Sequence, residues 1–303
     1  MHFIVTGGAG FIGNHLVHYL INKGHSVDVI DNIHVGRIEN LNDVKNKITF
    51  YKIDILEYNE LRKIAKNADG IFHEAALTSV QESFTKSSEY NMVNVIGTEN
   101  IFKLAKEFGF KVVYASSTSV YGNPSKIPVK EDFPRKPVNP YGETKLQAEL
   151  LAEKYISNGV TIIGLRYFNV YGKGQSSSYA GVITKFLERI RNNQSPIIYG
   201  DGLQGRDFVY VDDVAKANLL AMEKKIPSSF INIGSGEITS IRDLAQMMID
   251  IADLRLKPIY DKTLEGDVRE SLADISLAKK LLGWEPEMKL KNWLIQILQS
   301  KND

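Results

Sequence analysis

The stretch NPYGETK, residues 139 to 145, sets Tyr141 four residues ahead of Lys145 just after a proline. That spacing puts both side chains on one face of a helix. A second polar run, YASSTSVYG at 114 to 122, carries a strand into hydroxyls at Ser116, Ser117, Thr118 and Ser119. A serine, a tyrosine and a lysine that converge make a proton-transfer set: the hydroxyl polarises a carbinol oxygen, the tyrosinate exchanges a proton with it, and the lysine holds the tyrosine ionised. Moving a tyrosine from a pKa near 10 to about 7 takes roughly 4 kcal/mol. One cation about 4 Å away at an effective dielectric near 20 supplies roughly that much. The competing readings are an amphipathic helix face and a strand end with capping hydroxyls.

The elements that must bring these residues together follow from hydrophobic periodicity. HFIVT (2 to 6), HSVDVI (25 to 30), ITFYKI (48 to 53), GIFHEA (70 to 75), KVVYAS (111 to 116) and TIIGL (161 to 165) read as strands. Segments able to hold crossover helices separate them, which predicts an α/β fold with a Rossmann-like, doubly wound parallel sheet. The run FIGNHLVHYLINKG predicts a helix ending at Gly24, and Ser240 with Asp243 predicts a helix start. GKGQSSSYAG (172 to 181) has no periodicity and reads as a boundary loop. SFINIG (229 to 234) reads as a strand returning to the sheet. The expected organisation is a first unit over 1–168, rejoined by about 206–234, and a smaller α/β substrate-binding unit over 169–303.

VTGGAGFIG places Gly7, Gly10 and Gly13 directly after the first strand and at the start of the first helix. A turn this tight needs residues without a Cβ, and the helix N-terminus then turns its N–H groups toward a pyrophosphate. Asp31 ends the second strand, where a carboxylate hydrogen-bonds an adenosine ribose and repels a 2′-phosphate, so NAD is expected over NADP. Arg37 is the one neighbour that argues otherwise. Asp54, after the third strand, reads either as a partner for the adenine amino group or as a turn residue.

Composition removes other classes. Lys and Arg number 37 against 36 Asp and Glu, a net charge of +1, so no basic field draws in nucleic acid and no polybasic run holds a membrane surface. The 303 residues contain no cysteine, which excludes disulfides, thiolate zinc sites, iron–sulfur clusters and a cysteine nucleophile. The N-terminus lacks a signal-peptide pattern and no apolar run is long enough to cross a bilayer, so a cytoplasmic location is expected. His15 and His18 share the first helix without a third ligand, and no metal site is expected.

TGGAGFIG, HEAA (73 to 76), SSTSVYG, NPYGETK and RYFNVYG (166 to 172), in this order and spacing, resemble the extended short-chain dehydrogenase/reductase family, in its nucleotide-sugar 4-epimerase branch. The likeness runs from Gly7 to about Trp284. It implies Ser117 as the catalytic hydroxyl, Tyr141 as the base, and Lys145 as the residue that binds the nicotinamide ribose and lowers the tyrosine pKa. The cofactor contacts it implies are Gly7, Gly10, Phe11, Ile12, Gly13, Asp31, Asn32, Asp54, Ile55, Ala75, Ala76, Asn94, Tyr141 and Lys145. For a UDP-sugar it implies Ser79, Ser117, Thr118, Asn169, Gln204, Arg206, Arg269 and Ser271, with Asp267 beside Arg269. One departure is Leu264, which stands where many relatives of the family have an arginine, so phosphate binding falls to Arg206, Arg269 or Lys262.

The branch is narrowed by residues that are missing. Dehydratases of the family have an Asp-Glu pair before VYG, where this chain has Thr118-Ser119, and decarboxylases have a glutamate at the place of Ser119. What remains is 4-epimerisation through a 4-keto sugar. Ser271, five residues after Gly266, stands where hexose-restricted 4-epimerases have a tyrosine, which leaves room for a 2-acetamido group. UDP-GlcNAc and UDP-GalNAc are therefore expected to interconvert, alongside UDP-Glc and UDP-Gal. A UDP-glucuronate 4-epimerase using Thr118, Ser119 and serines 176 to 178 is the alternative enzyme. A non-catalytic NAD-sensing protein is the alternative of another class. The resemblance also implies a homodimer through the helix from about Ser88 to Phe108 and the helix bearing Tyr141.

Overall fold

The computed structural model describes residues 1–175 and 181–299, so serines 176 to 178 lie outside the described residues. Seven strands form one all-parallel sheet: β1 (His2–Thr6), β2 (Ser26–Ile30), β3 (Ile48–Tyr51), β4 (Gly70–His73), β5 (Lys111–Ser117), β6 (Ile162–Tyr167) and β10 (Ser229–Ile233). Their order is β10-β6-β5-β4-β1-β2-β3. Strands buried on both faces must be apolar throughout, and two-residue alternation sends Phe3 and Val5 to one core and Ile4 to the other. The first core lies under α1 (Phe11–Asn22), α8 (Val211–Glu223) and α10 (Ser276–Leu282). The second lies under α2 (Tyr58–Ala65), α5 (Thr98–Phe108) and α6 (Pro140–Ile156). Two short helices, α3 (Val80–Thr85) and α4 (Ser87–Asn91), lead through a π-helical turn at Met92–Gly97 into α5.

A smaller sheet joins β7 (Asn169–Tyr171), β9 (Gly205–Tyr210), β11 (Ile238–Ser240) and β13 (Glu270–Ser271), while β8 (Ile197–Tyr199) pairs with β12 (Ile259–Asp261). A third core, carried by α7 (Val182–Arg191), α9 (Ile241–Ile251) and α11 (Leu290–Gln299), packs against it. Ser240 accepts from the backbone N–H of Asp243 at 3.0 Å, so α9 starts at the predicted cap.

Three elements depart from the sequence pattern. β6 runs on past Leu165 to Tyr167 because Arg166, only 2% exposed, is neutralised inside the protein by Glu149. The segment at 206–210 joins the small sheet, and α8 with β10 makes the return to the large one. α10 and Trp284 also return, since Ala278, Leu282 and Trp284 lie in the first core.

Candidate active site

Strand order reverses between β1 and β4, and in open α/β sheets a ligand crevice opens beyond the C-terminal strand ends at such a point. Here it is a cavity of about 970 Å³ running from Arg37 past Tyr141 to Arg206. The glycine turn sits on the reversal. A Cβ at Gly7, where φ is +70°, would meet Ala75 N at 2.6 Å, and one at Gly13 would meet the Gly7 carbonyl oxygen at 2.1 Å. α1 starts at Gly10 with no side chain capping it, which leaves its first N–H groups to a phosphate.

Around this turn the residues fit the adenosine half of NAD. Asp31 Oδ2 accepts from Ala9 N at 3.0 Å and Oδ1 from Ile33 N at 2.8 Å, which fixes the carboxylate at the cavity wall. Burial pushes its pKa up, and these two N–H bonds oppose the rise. Asp54 accepts from Leu56 N at 2.9 Å and from Asn32 Nδ2 at 2.8 Å, so the Asn32 and Asp54 side chains are locked together. Phe11, Ile12, Ile55, Ala75 and Ala76 line the same wall. Asn94 takes a different place. It is 1% exposed, bonds the backbone of Leu77 at 2.8 and 2.9 Å and Thr144 Oγ1 at 3.1 Å, and so ties the loop after β4 to α6.

α6 brings Tyr141 and Lys145 to the cavity. Asn139 caps it by accepting from Gly142 N at 2.8 Å, and Pro140 occupies its first turn. One turn past Lys145, Glu149 is fully buried. It accepts from Arg166 Nε and Nη2, both at 2.8 Å, from Arg135 at 3.0 Å and from Ser116 Oγ at 2.6 Å. A buried carboxylate with this set of partners is costly to break, so the network clamps α6 onto β5 and β6. Lys145 Nζ then donates to the Ala115 carbonyl oxygen at 2.8 Å and lies 5.9 Å from the centroid of the Tyr141 ring.

These positions alter the proton arithmetic. Burial pushes the Tyr141 phenol up to about 12, with only the Ser117 hydroxyl pulling it down, so the protein by itself does not bring the tyrosine to neutrality. Burial also lowers Lys145 to about 8, against the pull of Glu74 and Glu149. The cation expected to sit about 4 Å from the tyrosine is instead shared with a strand carbonyl, and it is itself close to titrating. Ser117 Oγ accepts from Ser119 N and donates to Ser119 Oγ, each at 3.1 Å, which aims it along the cavity floor.

At the other end Ser79, Thr118, Asn169, Arg206 and Ser271 line the cavity with Leu264 and Asp267. Ser79 caps α3 by accepting from Glu82 N at 3.2 Å, and Asn169 donates to the Asp207 carbonyl at 3.1 Å. Thr118 Oγ1 and Ser271 Oγ approach to 3.4 Å. Arg206 pairs with Asp267. Gln204 and Arg269 stand outside this wall: Gln204 Nε2 donates to the Tyr199 carbonyl at 2.7 Å, and Arg269 grips Asp201 at 2.9 and 3.0 Å on the surface. Glu74, which the sequence pattern does not single out, lines the same cavity as Ala75, Tyr141 and Lys145. Its only signal was a lone carboxylate in the apolar strand end HEAA. His73 bridges Thr6 at 2.7 Å and Thr98 at 2.9 Å, and burial lowers it to about 3, so it is a neutral hydrogen-bonding residue. Among the described residues there is no metal-binding cluster and no helix long and apolar enough to cross a membrane.

The site can be compared with known proteins. A candidate UDP-glucose 4-epimerase of Methanocaldococcus jannaschii is 40% identical over 300 residues, 97% of this chain and 96% of that protein. The UDP-glucose 4-epimerase of Thermotoga maritima, solved with UDP-glucose, superimposes with a TM-score of 0.94 at 36% identity, over 99% of this chain and 98% of the other. The UDP-N-acetylglucosamine 4-epimerase of Methanobrevibacter ruminantium, solved with UDP-N-acetylmuramic acid, gives 0.92 at 37% identity, over 98% and 97%. The model of the NAD dependent epimerase/dehydratase family matches residues 3–234, more than half of the chain, and with the glycine turn, the serine and the Tyr141–Lys145 helix gathered on one cavity, the chain belongs to that family.

Proposed function

We propose that the protein is an NAD-dependent UDP-sugar 4-epimerase, an isomerase, whose principal pair is UDP-GlcNAc and UDP-GalNAc, with UDP-Glc and UDP-Gal as further substrates. The observation that carries the sugar assignment is Ser271. It is 5% exposed, lies in the cavity wall and points its hydroxyl at Thr118, so a small side chain borders the place where the sugar meets the reacting hydroxyls. A 2-acetamido group needs that space. The likeness to a solved UDP-N-acetylglucosamine 4-epimerase supports the same reading.

The residues that would hold NAD are the Gly7–Gly13 turn, Asp31 and the Asn32–Asp54 pair at the adenosine, and Ala75, Ala76 and Lys145 toward the nicotinamide. The chemistry that NAD supplies when bound is reversible hydride acceptance beside the sugar. Tyr141 takes the O4 proton and later returns it, and Ser117 hydrogen-bonds the same oxygen. Lys145 contributes the positive charge that makes a phenol raised by burial willing to give up its proton. Arg206 sits where it can meet the diphosphate on exchanging its bond to Asp267. Asn169 supports that end.

We also assign the large sheet with α8, β10 and α10 to cofactor binding and the small sheet with α7, α9 and α11 to the UDP-sugar. The dimer face is assigned to the π-helical turn and α6, where Met92, Ile96 and Leu150 are 46%, 37% and 49% exposed; a monomer in light scattering would refute it. Purified protein given UDP-GlcNAc, UDP-Glc and UDP-glucuronate separately, with products resolved by chromatography, tests the sugar assignment. Ser271→Tyr is expected to lower kcat/KM for UDP-GlcNAc by about 10- to 100-fold relative to UDP-Glc. Equal losses on both sugars would sink the gate, and preferential turnover of UDP-glucuronate would replace the substrate.

A further inference from the structure

Lys145 faces two carboxylates, and they differ in what else they hold. Glu149 is already committed to Arg166 and to Arg135, which it shares with Glu153, so its charge is answered within the network. Among the described residues Glu74 makes no ion pair of this kind. Its Oε1 accepts from the Tyr167 hydroxyl at 2.9 Å, and that oxygen in turn accepts from Asn218 Nδ2 at 2.7 Å. The chain of bonds therefore starts on α8, crosses the end of β6 and delivers a carboxylate, held by neutral groups, to the cavity wall one residue past the His73–Tyr114 strand pair, next to Ala115, whose carbonyl accepts from Lys145.

We propose that Glu74 is a positioning residue for the Tyr141–Lys145 pair: fixed by Tyr167 and Asn218, its carboxylate is the counter-charge that keeps Lys145 an ammonium next to the tyrosine. The inference rests on the roles given above to Tyr141 and Lys145. Charge accounting supports it, because Glu149 contributes little net field once Arg166 and Arg135 are counted, and because His73, on the other side of Glu74, is neutral. Withdrawal from water raises Glu74 to about 7 and lowers Lys145 to about 8, so burial opposes both charges and each sustains the other. The sign follows. Glu74 gains its charge as pH rises through about 7, and Lys145 loses its own as pH rises through about 8, so the state with both groups charged is favoured in a narrow band around these values. Without the carboxylate, the Lys145 proton leaves at lower pH.

Glu74→Gln keeps an acceptor for Tyr167 and removes the charge. In full-length, NAD-loaded protein, with the UDP-sugar that turns over fastest, the alkaline limb of the kcat profile is expected to move down by about one pH unit. At about pH 8 kcat should fall roughly fivefold while KM changes less than about twofold. The tyrosinate absorbance of Tyr141, read as wild type minus Tyr141→Phe, should appear at higher pH in the variant. Tyr167→Phe is the second arm: it removes the hydrogen bond that favours the carboxylate, so the acid limb should move up. A Glu74→Gln profile that superimposes on wild type overturns the inference, as does a rise in KM with both limbs in place. If Glu74→Gln does not fold, an unmoved acid limb in Tyr167→Phe overturns it alone. Tyr141→Phe separates the two levels: if it is inactive while the Glu74 variants behave as wild type, only this inference fails, and if it is active, the underlying reading fails.

Discussion

At the end of the cavity beneath β1, β4 and β5, the polar side chains around the reacting groups are tied to backbone and to one another within the fold: Lys145 to a strand carbonyl, Ser117 to Ser119, His73 to two threonines, Glu149 to two arginines. At the β9 and β13 end the charged side chains answer each other nearer to solvent, Arg206 with Asp267 and Arg269 with Asp201. The first arrangement suits groups whose proton affinities must be held to a value, since burial makes every neighbouring charge count. The second suits groups that must exchange partners when a charged ligand arrives, since ion pairs near water are weak enough to open.

If that contrast is sound, damage should be catalytic at one end and a matter of affinity at the other. Tyr141→Phe removes the group proposed to take the O4 proton and should lower kcat by about a thousandfold with NAD retention unchanged, measured by turnover and by cofactor content after gel filtration. Full activity in that variant would end the mechanism. Arg206→Ala should instead raise KM for the UDP-sugar by about tenfold with kcat within about twofold, because a lost diphosphate contact is felt equally in ground and transition states. A fall in kcat without a change in KM would erase the distinction between the two ends. The smallest effect is expected from Arg269→Ala: its side chain is 56% exposed and its guanidinium is paired with Asp201, so KM should move by less than about threefold. A tenfold rise would show that Arg269 leaves Asp201 to meet the ligand, and would move the diphosphate site outward from the cavity wall.

The large sheet was legible because its signals are local. Strands buried on both faces read as apolar runs, and the predicted strand limits fall within two residues of the observed ones. Where prediction and structure part, a distant residue decides. Arg166 looks like the end of a strand until Glu149, on a helix that crosses the sheet, neutralises it. Gln204 and Arg269 sit in the segments expected to meet the ligand, and in the fold Gln204 Nε2 bonds the Tyr199 carbonyl while its buried Oε1 keeps no protein partner, and Arg269 pairs with Asp201. Asn94 looked like a cofactor neighbour and instead stitches a loop to α6, because the π-helical turn points it at Leu77 and Thr144.

By itself the sequence determined the doubly wound topology, the glycine turn and the Tyr141–Lys145 face of one helix, since apolar periodicity, absent Cβ atoms and four-residue spacing act over a few neighbouring residues. Only the tertiary structure decided the proton affinities of that face. Burial raises Tyr141 to about 12 and lowers Lys145 to about 8, and the charges that respond are Glu74, just past β4, and Glu149 on α6, brought within electrostatic reach by packing. Spacing along the chain carries no record of which carboxylate ends up beside a lysine and which is already spent on an arginine.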